Sequence, residues 1–188
     1  MPMTAEPTRL PRIARRIAAA LPALLAMAAL AGCGGSTKPE QFAPACPQLK
    51  VIKDAADLTR VRGQGSDITD LILQARIASI PGSCAEAKGG VKTRIQVIME
   101  ATRGPASSSR SVELPYLITV TLGENIIEQQ YFASPADFPA NADRMAVAGE
   151  EIDLLVPATA ERPASNYTIY VSFRLTAAEL AFNRKARR

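Results

Sequence analysis

The chain of 188 residues contains no histidine and no tryptophan, and aromatic residues make up only 5% of it. Without an imidazole, the chain cannot build a Ser-His-Asp or Cys-His catalytic centre, nor a zinc or iron site with histidine ligands. Carboxylate and lysine chemistry remain open to it. The missing tryptophan also removes the Cys…Trp…Cys pattern of antibody-type immunoglobulin domains.

The N-terminal segment, in contrast, is rich in signals. Arg9, Arg12, Arg15 and Arg16 precede an apolar run at residues 17–32. This order of positive charge, apolar core and small residues is typical of a secretory signal peptide. A permanent transmembrane helix is the competing interpretation. The run has only 16 residues, whereas a spanning helix needs roughly 20.

The residues Leu30-Ala31-Gly32-Cys33 resemble the lipobox of Gram-negative lipoproteins. The resemblance implies cleavage before Cys33, diacylglycerol on the Cys33 thiol and a fatty acyl chain such as palmitate on the new amine. Several chains anchor stably where one is marginal. Gly34, in place of an aspartate, implies transport to the outer membrane, with the domain facing the periplasm. An ordinary secreted protein with a coincidental Cys33 is the alternative.

Two cysteines remain once Cys33 carries lipid, namely Cys46 and Cys84. An exported chain lies in an oxidising compartment, so we predict a structural disulfide between them. A redox or metal-binding pair is the alternative. It lacks support, because the sequence has no C-x-x-C and no histidine.

Charge is close to balanced after the leader is removed. The remaining 156 residues hold 18 basic and 17 acidic side chains, which suits one domain and does not suggest a nucleic-acid binder. We predict a signal peptide at 1–32, a flexible tether at 33–45, a domain at 46–183 and a basic tail at 184–188. The tail would either contact phosphate groups of an anionic lipid surface or be a frayed end.

Apolar residues alternate with polar ones through most of the domain, a period of two that predicts half-buried strands. The segments with this pattern are 91–100, 116–122 and 167–175, with weaker candidates at 48–53, 71–80, 126–132 and 151–156. Turn residues separate them, and no long helical pattern intervenes. We therefore predict an all-β fold, an immunoglobulin-like antiparallel β-sandwich of about seven strands, with a small β-barrel as the alternative.

A short C-terminal helix completes this prediction. Thr176 stands three residues before Glu179, the spacing of a capping box.

A polar stretch is the main candidate site, with carboxylates beside arginines that suit ligand binding or acid–base work. We list its members as a binding loop: Asp54, Asp57, Arg60, Arg62, Asp67 and Asp70. A surface loop with Asx turns and ion pairs is the alternative interpretation. Glu150, Glu151 and Asp153 suit a cation site less well than a solvated strand face, because Glu151 and Asp153 alternate with Ile152 and Leu154. We predict no catalytic residue, cofactor or metal.

Three segments carry a wider resemblance: CPQLKVIKDAADLTRVRGQGSDITDLILQARI from Cys46, the second cysteine Cys84, and VSFRLTAAELAFNR from Val171. Over most of residues 46–184 they resemble a family of uncharacterised envelope lipoproteins of Gram-negative proteobacteria. The resemblance implies export, anchoring and a β-rich domain.

These observations favour a membrane-anchored adaptor that is not an enzyme. Its partner would be an envelope protein or peptidoglycan, bound at loops or a sheet edge. A structural spacer is the second hypothesis. The third is a carboxylate-dependent enzyme, which requires at least two of Asp54, Asp57, Asp67 and Asp70 to converge in a pocket with perturbed pKa values.

Overall fold

The computed structural model describes residues 46–63, 65 and 67–186. The predicted signal peptide, lipidation site and tether lie outside the described residues, as do Arg187 and Arg188 of the predicted tail. The elements are β1 (Gln48–Val51), β2 (Asp57–Val61), β3 (Leu71–Ser79), β4 (Gly82–Ala87), β5 (Gly90–Arg103), β6 (Ser111–Leu122), β7 (Asn125–Asp137), β8 (Arg144–Val156), β9 (Tyr167–Phe173) and the helix α1 (Ala177–Ala186).

These strands form two sheets. Sheet A has the order β1-β9-β6-β7. In sheet B, β2 pairs with β3, and β3 and β4 both pair with β5, whose partner on its other side is β8. The predicted all-β sandwich with a C-terminal helix is confirmed. The barrel alternative is wrong, because the sheets do not close on each other.

Two details differ from the prediction. The described residues form nine strands instead of about seven, and β1 runs parallel to β9, whereas the sequence predicted an antiparallel fold. The seven predicted strands are all present. The two that the prediction lacked are β2, assigned to a polar loop, and β4, whose sequence GSCAEA has little of the β-branched and aromatic content that marks strands.

The core lies between the sheets, where alternate side chains of the long strands point inward. Fully buried residues come from both layers, including Leu73, Val97 and Met99 of sheet B and Tyr116, Ile118, Ile169 and Phe173 of sheet A. Tyr116 stacks on Phe132 at 5.3 Å between ring centroids, and burial raises the pKa of its phenol. The period of two in the sequence is thus the period of this core.

Cys46 and Cys84 lie at disulfide distance, as predicted, with 5.9 Å between their Cα atoms. Cys46 stands just before β1, at one edge of sheet A, and Cys84 lies on β4 in sheet B. The pair therefore links the two layers.

Helix α1 begins with the predicted capping box. The Thr176 hydroxyl accepts a hydrogen bond from the Glu179 amide at 3.2 Å, and the Glu179 carboxylate accepts one from the Thr176 amide at 2.7 Å. The helix ends at Ala186, so Arg184 and Lys185 are helical. The prediction had placed these two residues in a basic tail beyond the domain. Within the described part of the chain, no helix is long and apolar enough to cross a membrane.

Candidate functional site

The structure divides the predicted binding loop among several elements. Asp54 lies in a 3-10 helix at Lys53–Ala55, and Asp57 and Arg60 lie on β2. Asp67 caps a second 3-10 helix at Ile68–Asp70, of which Asp70 is the last residue. The segment is ordered in this way because Leu58, in the middle of the polar stretch, is fully buried and fixes β2 against the core. A single loop was therefore the wrong interpretation.

Half of these residues hold helix α1. The side-chain amide of Asn183, itself 4% exposed, donates to the backbone oxygens of Asp54 and Asp57 at 2.9 and 2.7 Å. Arg60 Nε contacts Glu179 Oε1 at 3.1 Å, and Arg184 Nε contacts Asp54 Oδ2 at 3.0 Å. This part of the polar stretch thus forms the surface on which the chain's own C-terminal helix packs.

The other residues close a turn. The Arg62 amide donates to the Asp70 carbonyl oxygen at 2.8 Å, and Arg62 Nη2 donates to the Ala106 carbonyl oxygen at 3.3 Å. Asp67 Oδ1 accepts from both the amide and the hydroxyl of Thr69, at 2.9 Å each. The hydrogen bond from the Thr69 amide is the main cause that lowers the pKa of Asp67. This geometry is an Asx turn, the alternative that the sequence allowed.

The outer face of sheet B, which we call the B face, is covered by paired charges. Glu100 accepts from Arg76 and Arg144 at 2.9 and 2.7 Å, and these contacts hold the pKa of Glu100 below its usual value, with Arg144 as the main cause. The three residues line a depression together with Asp57. Asp54, Asp67 and Asp70 are not part of its lining, so the predicted carboxylates do not gather there.

A second set of charges lies further along the B face. Asp153 contacts Arg94 Nε at 2.8 Å and Lys92 Nζ at 2.9 Å. The hydrogen bond from Arg94 is the main cause that lowers the pKa of Asp153 to about 2, and the same contact raises the pKa of Arg94. Among the described residues, no group of three or more acidic, cysteine or histidine side chains is placed to hold a metal ion.

The outer face of sheet A has a different composition. Its outward positions follow from the strand register, and we call them the A face: Gln48 and Lys50 of β1, Thr168, Tyr170 and Ser172 of β9 with Arg174 beyond it, Pro115, Leu117, Thr119 and Thr121 of β6, and Ile126, Gln129, Tyr131 and Ala133 of β7. These positions include two cations. The same register also places Glu113, opposite Pro135, and Asp137, opposite Ser111, on the outer side, so carboxylates follow at the far end of this sheet.

The side chains of the A face contact one another without ion pairs. Arg174 lies over the Tyr131 ring at 5.4 Å from its centroid. The Tyr131 hydroxyl donates to Gln129 Oε1 at 2.8 Å, and Gln129 Nε2 donates to the Thr119 hydroxyl at 3.0 Å. Tyr131 is 60% exposed and Ile126 64% exposed, so large apolar area faces solvent at the β7 end of this surface.

The sequence carried a signal for the A face, although the predicted binding loop includes none of its residues. Between Pro115 and Thr121, the positions of β6 that alternate with the core residues are all uncharged. The corresponding positions of β5 include Lys92, Arg94 and Glu100. The sequence therefore shows which strands carry charge at their outward positions. It does not show how the strands pair into two sheets.

No protein-family model, no curated protein and no solved structure matches the chain.

Proposed function

We propose that this protein is a lipid-anchored, non-catalytic adaptor of the bacterial envelope that binds another protein through the A face. In this proposal, acyl chains on Cys33 hold it in the outer membrane and the sandwich faces the periplasm. The observation that carries the binding role is the contrast in surface chemistry: the charges of the B face are paired with each other, whereas the A face exposes tyrosine and isoleucine.

The composition of the A face supports a protein partner. Tyrosine and arginine are enriched at protein interfaces and are frequent among the residues that dominate binding energy. Tyr131, Tyr170 and Arg174 lie on this face. The two tyrosines are uncharged, so covering them costs less desolvation than covering the ion pairs of the B face, whereas Arg174 needs an acceptor on the partner.

Charge complementarity further defines the partner. Lys50 and Arg174 are the charged residues among the A-face positions, so the surface around the tyrosines is weakly cationic, and Glu113 and Asp137 lie beyond it at the far end of the sheet. A partner with a neutral to acidic patch, and with apolar side chains opposite Ile126 and Tyr131, fits it best. Facing cations would be repelled.

Cross-linking capture from native envelopes tests this function. The captured proteins are compared for wild type, Cys33→Ala, Arg174→Glu and the matched control Lys88→Glu, which makes the same charge change in the β4–β5 turn. We expect one partner captured by wild type and Lys88→Glu and lost from the other two. Circular dichroism checks that each variant is folded.

Two results would contradict the proposal. A partner kept by Arg174→Glu and lost with Lys88→Glu would move the binding surface away from the A face. Capture of peptidoglycan alone, or of no partner by a folded and anchored protein, would favour the hypothesis of a glycan-bound or purely structural spacer.

A further inference from the structure

We infer that β7 is a pairing edge for a second copy of this chain, so that two domains join β7 to β7 in one continuous sheet. This inference goes beyond the proposed function and does not depend on the lipid anchor. It follows from the way in which the edges of the two sheets are protected.

Most sheet edges in the described residues have a device that prevents pairing with another chain. β2 is covered by α1, through Arg60, Asn183 and their partners. β1 has four residues and β4 has six, and the Cys46–Cys84 pair joins their ends of the two sheets. A covering helix and short strands are the usual ways to protect a sheet edge.

The remaining edges, β7 and β8, have 13 residues each and differ in charge. β8 carries Glu150, Glu151 and Asp153 in its second half. In β7, residues 125–134 read NIIEQQYFAS, with Glu128 as the only charge and with no lysine, arginine or proline. Ile126, Ile127 and Tyr131 in this segment are 64%, 47% and 60% exposed. A long edge with exposed apolar side chains and little charge is the kind that pairs.

The charge pattern favours a second copy as the occupant. An antiparallel β7 pair with its two-fold axis at Gln130 puts Gln129 opposite Tyr131 and Glu128 opposite Phe132. No like charges then face each other, and the same patch serves both copies, as a two-fold dimer requires. The equivalent pairing of β8 about Ile152 puts Glu151 opposite Asp153, which repel each other. In these two registers, the β7 pair has no like charges opposite each other and the β8 pair has one such contact in each half.

The dimer would extend sheet A from four strands to eight and place two A faces side by side. Its members would be related by a closed symmetry, so the contact ends with two copies. Pro135 lies near the end of β7 and has no amide proton, so it limits pairing to the preceding segment.

Sedimentation velocity over a range of concentrations tests the inference, with the chain from residue 33 carrying Cys33→Ala to remove the acyl anchor. We expect reversible dimers for this protein and for Leu155→Lys, an exposed position on β8. For Ile127→Lys, which puts a new cation at the pairing edge of each copy, we expect dissociation to be at least about tenfold easier. Far-UV circular dichroism and thermal melting show whether the variants fold as wild type does.

A positive readout on a folded dimer complements the lysine variants. Gln129→Cys, treated with a short bis-maleimide, should give a covalent dimer, whereas Leu155→Cys should not. Amide hydrogen exchange of residues 125–134 should slow as the concentration rises. The inference is overturned if the chain stays monomeric at every concentration, if Leu155→Lys and not Ile127→Lys dissociates the dimer, or if β7 is protected only by a different captured protein.

Discussion

The two outer faces of the sandwich are built from strands of similar length, yet their side chains are used in different ways. On the B face, Glu100 and Asp153 each contact two cations, so most of the charge is neutralised within the domain. On the A face, Tyr131 and Ile126 are mostly exposed, and the cation Arg174 lies over the Tyr131 ring and not against a carboxylate. A partner that covered the B face would have to desolvate or break ion pairs. Covering the A face instead removes apolar surface from water, which is favourable.

The edges repeat this difference. Helix α1 covers β2 and charges line β8, whereas β7 has neither form of protection. The regions without protection are therefore adjacent, because the uncovered edge β7 is also one border of the A face.

The largest expected effect comes from breaking the link between the two sheets. Replacing both cysteines, Cys46→Ser with Cys84→Ser, releases a loop with a sequence separation of 38 residues. The chain-entropy model gives a loss of about 4 kcal/mol in the free energy of unfolding. Urea denaturation measures it, and wild type under reducing conditions should lose the same amount. A loss below about 1 kcal/mol would contradict a structural role.

A smaller loss is expected from uncovering β2, which would make that edge more like β7. Asn183→Ala removes a buried amide that donates to two part-buried carbonyl oxygens and should cost about 1–3 kcal/mol. The matched control is Arg184→Ala on the same helix, where an exposed ion pair is lost and the cost should stay below about 1 kcal/mol. Equal effects in urea denaturation would show that the helix is not held by the Asn183 hydrogen bonds.

The charges of the B face should give stability a dependence on pH. Because folding lowers the pKa of Asp153 from 3.8 to about 2, its contribution is present above pH 4 and is lost as the pH falls through about 2. Asp153→Asn should therefore flatten the melting temperature between pH 4 and 2 relative to wild type. The control is Gln129→Glu, which adds a carboxylate to the A face without two cations beside it. It should not increase the loss of melting temperature between pH 4 and 2. If the melting temperature of Asp153→Asn depends on pH as that of wild type does, this carboxylate does not contribute to the acid-sensitive stability.

The smallest effect is expected on the A face. Ile126→Thr replaces a side chain that is 64% exposed and should change the free energy of unfolding by less than about 0.5 kcal/mol. Urea denaturation checks this. A loss above about 1 kcal/mol would mean that the exposed apolar residues serve the stability of the domain instead of binding.

The sequence predicted the elements whose information is local. The alternation in residues 91–100, 116–122 and 167–175 identified β5, β6 and β9, and the Thr176–Glu179 spacing identified the start of α1. β2 was not predicted because one buried side chain, Leu58, outweighs the polar residues around it. Asp54 and Arg60 hold α1 through side chains more than 100 positions away in the sequence, and no local pattern reveals such contacts.

The A face could not be predicted from the sequence for a similar reason, because it depends on how the strands are arranged in the sheets. Alternation shows which residues of a strand point away from the core, but not which strands share a sheet or which strand stands at its edge. The A face combines β1, β6, β7 and β9 from both ends of the domain sequence. Its residues were visible in the sequence as uncharged outward positions, and only the pairing order gathers them into one surface.

A site-specific photo-cross-link in native envelopes tests whether a partner protein lies against the A face. A photoreactive residue replaces either Ile126 on the A face or Leu155 on the B face, two exposed aliphatic positions on long edge strands. We expect adducts with another envelope protein from position 126, in addition to adducts with a second copy of this chain, and no adducts from position 155. Equal adducts from both positions, or adducts from position 155 alone, would contradict it.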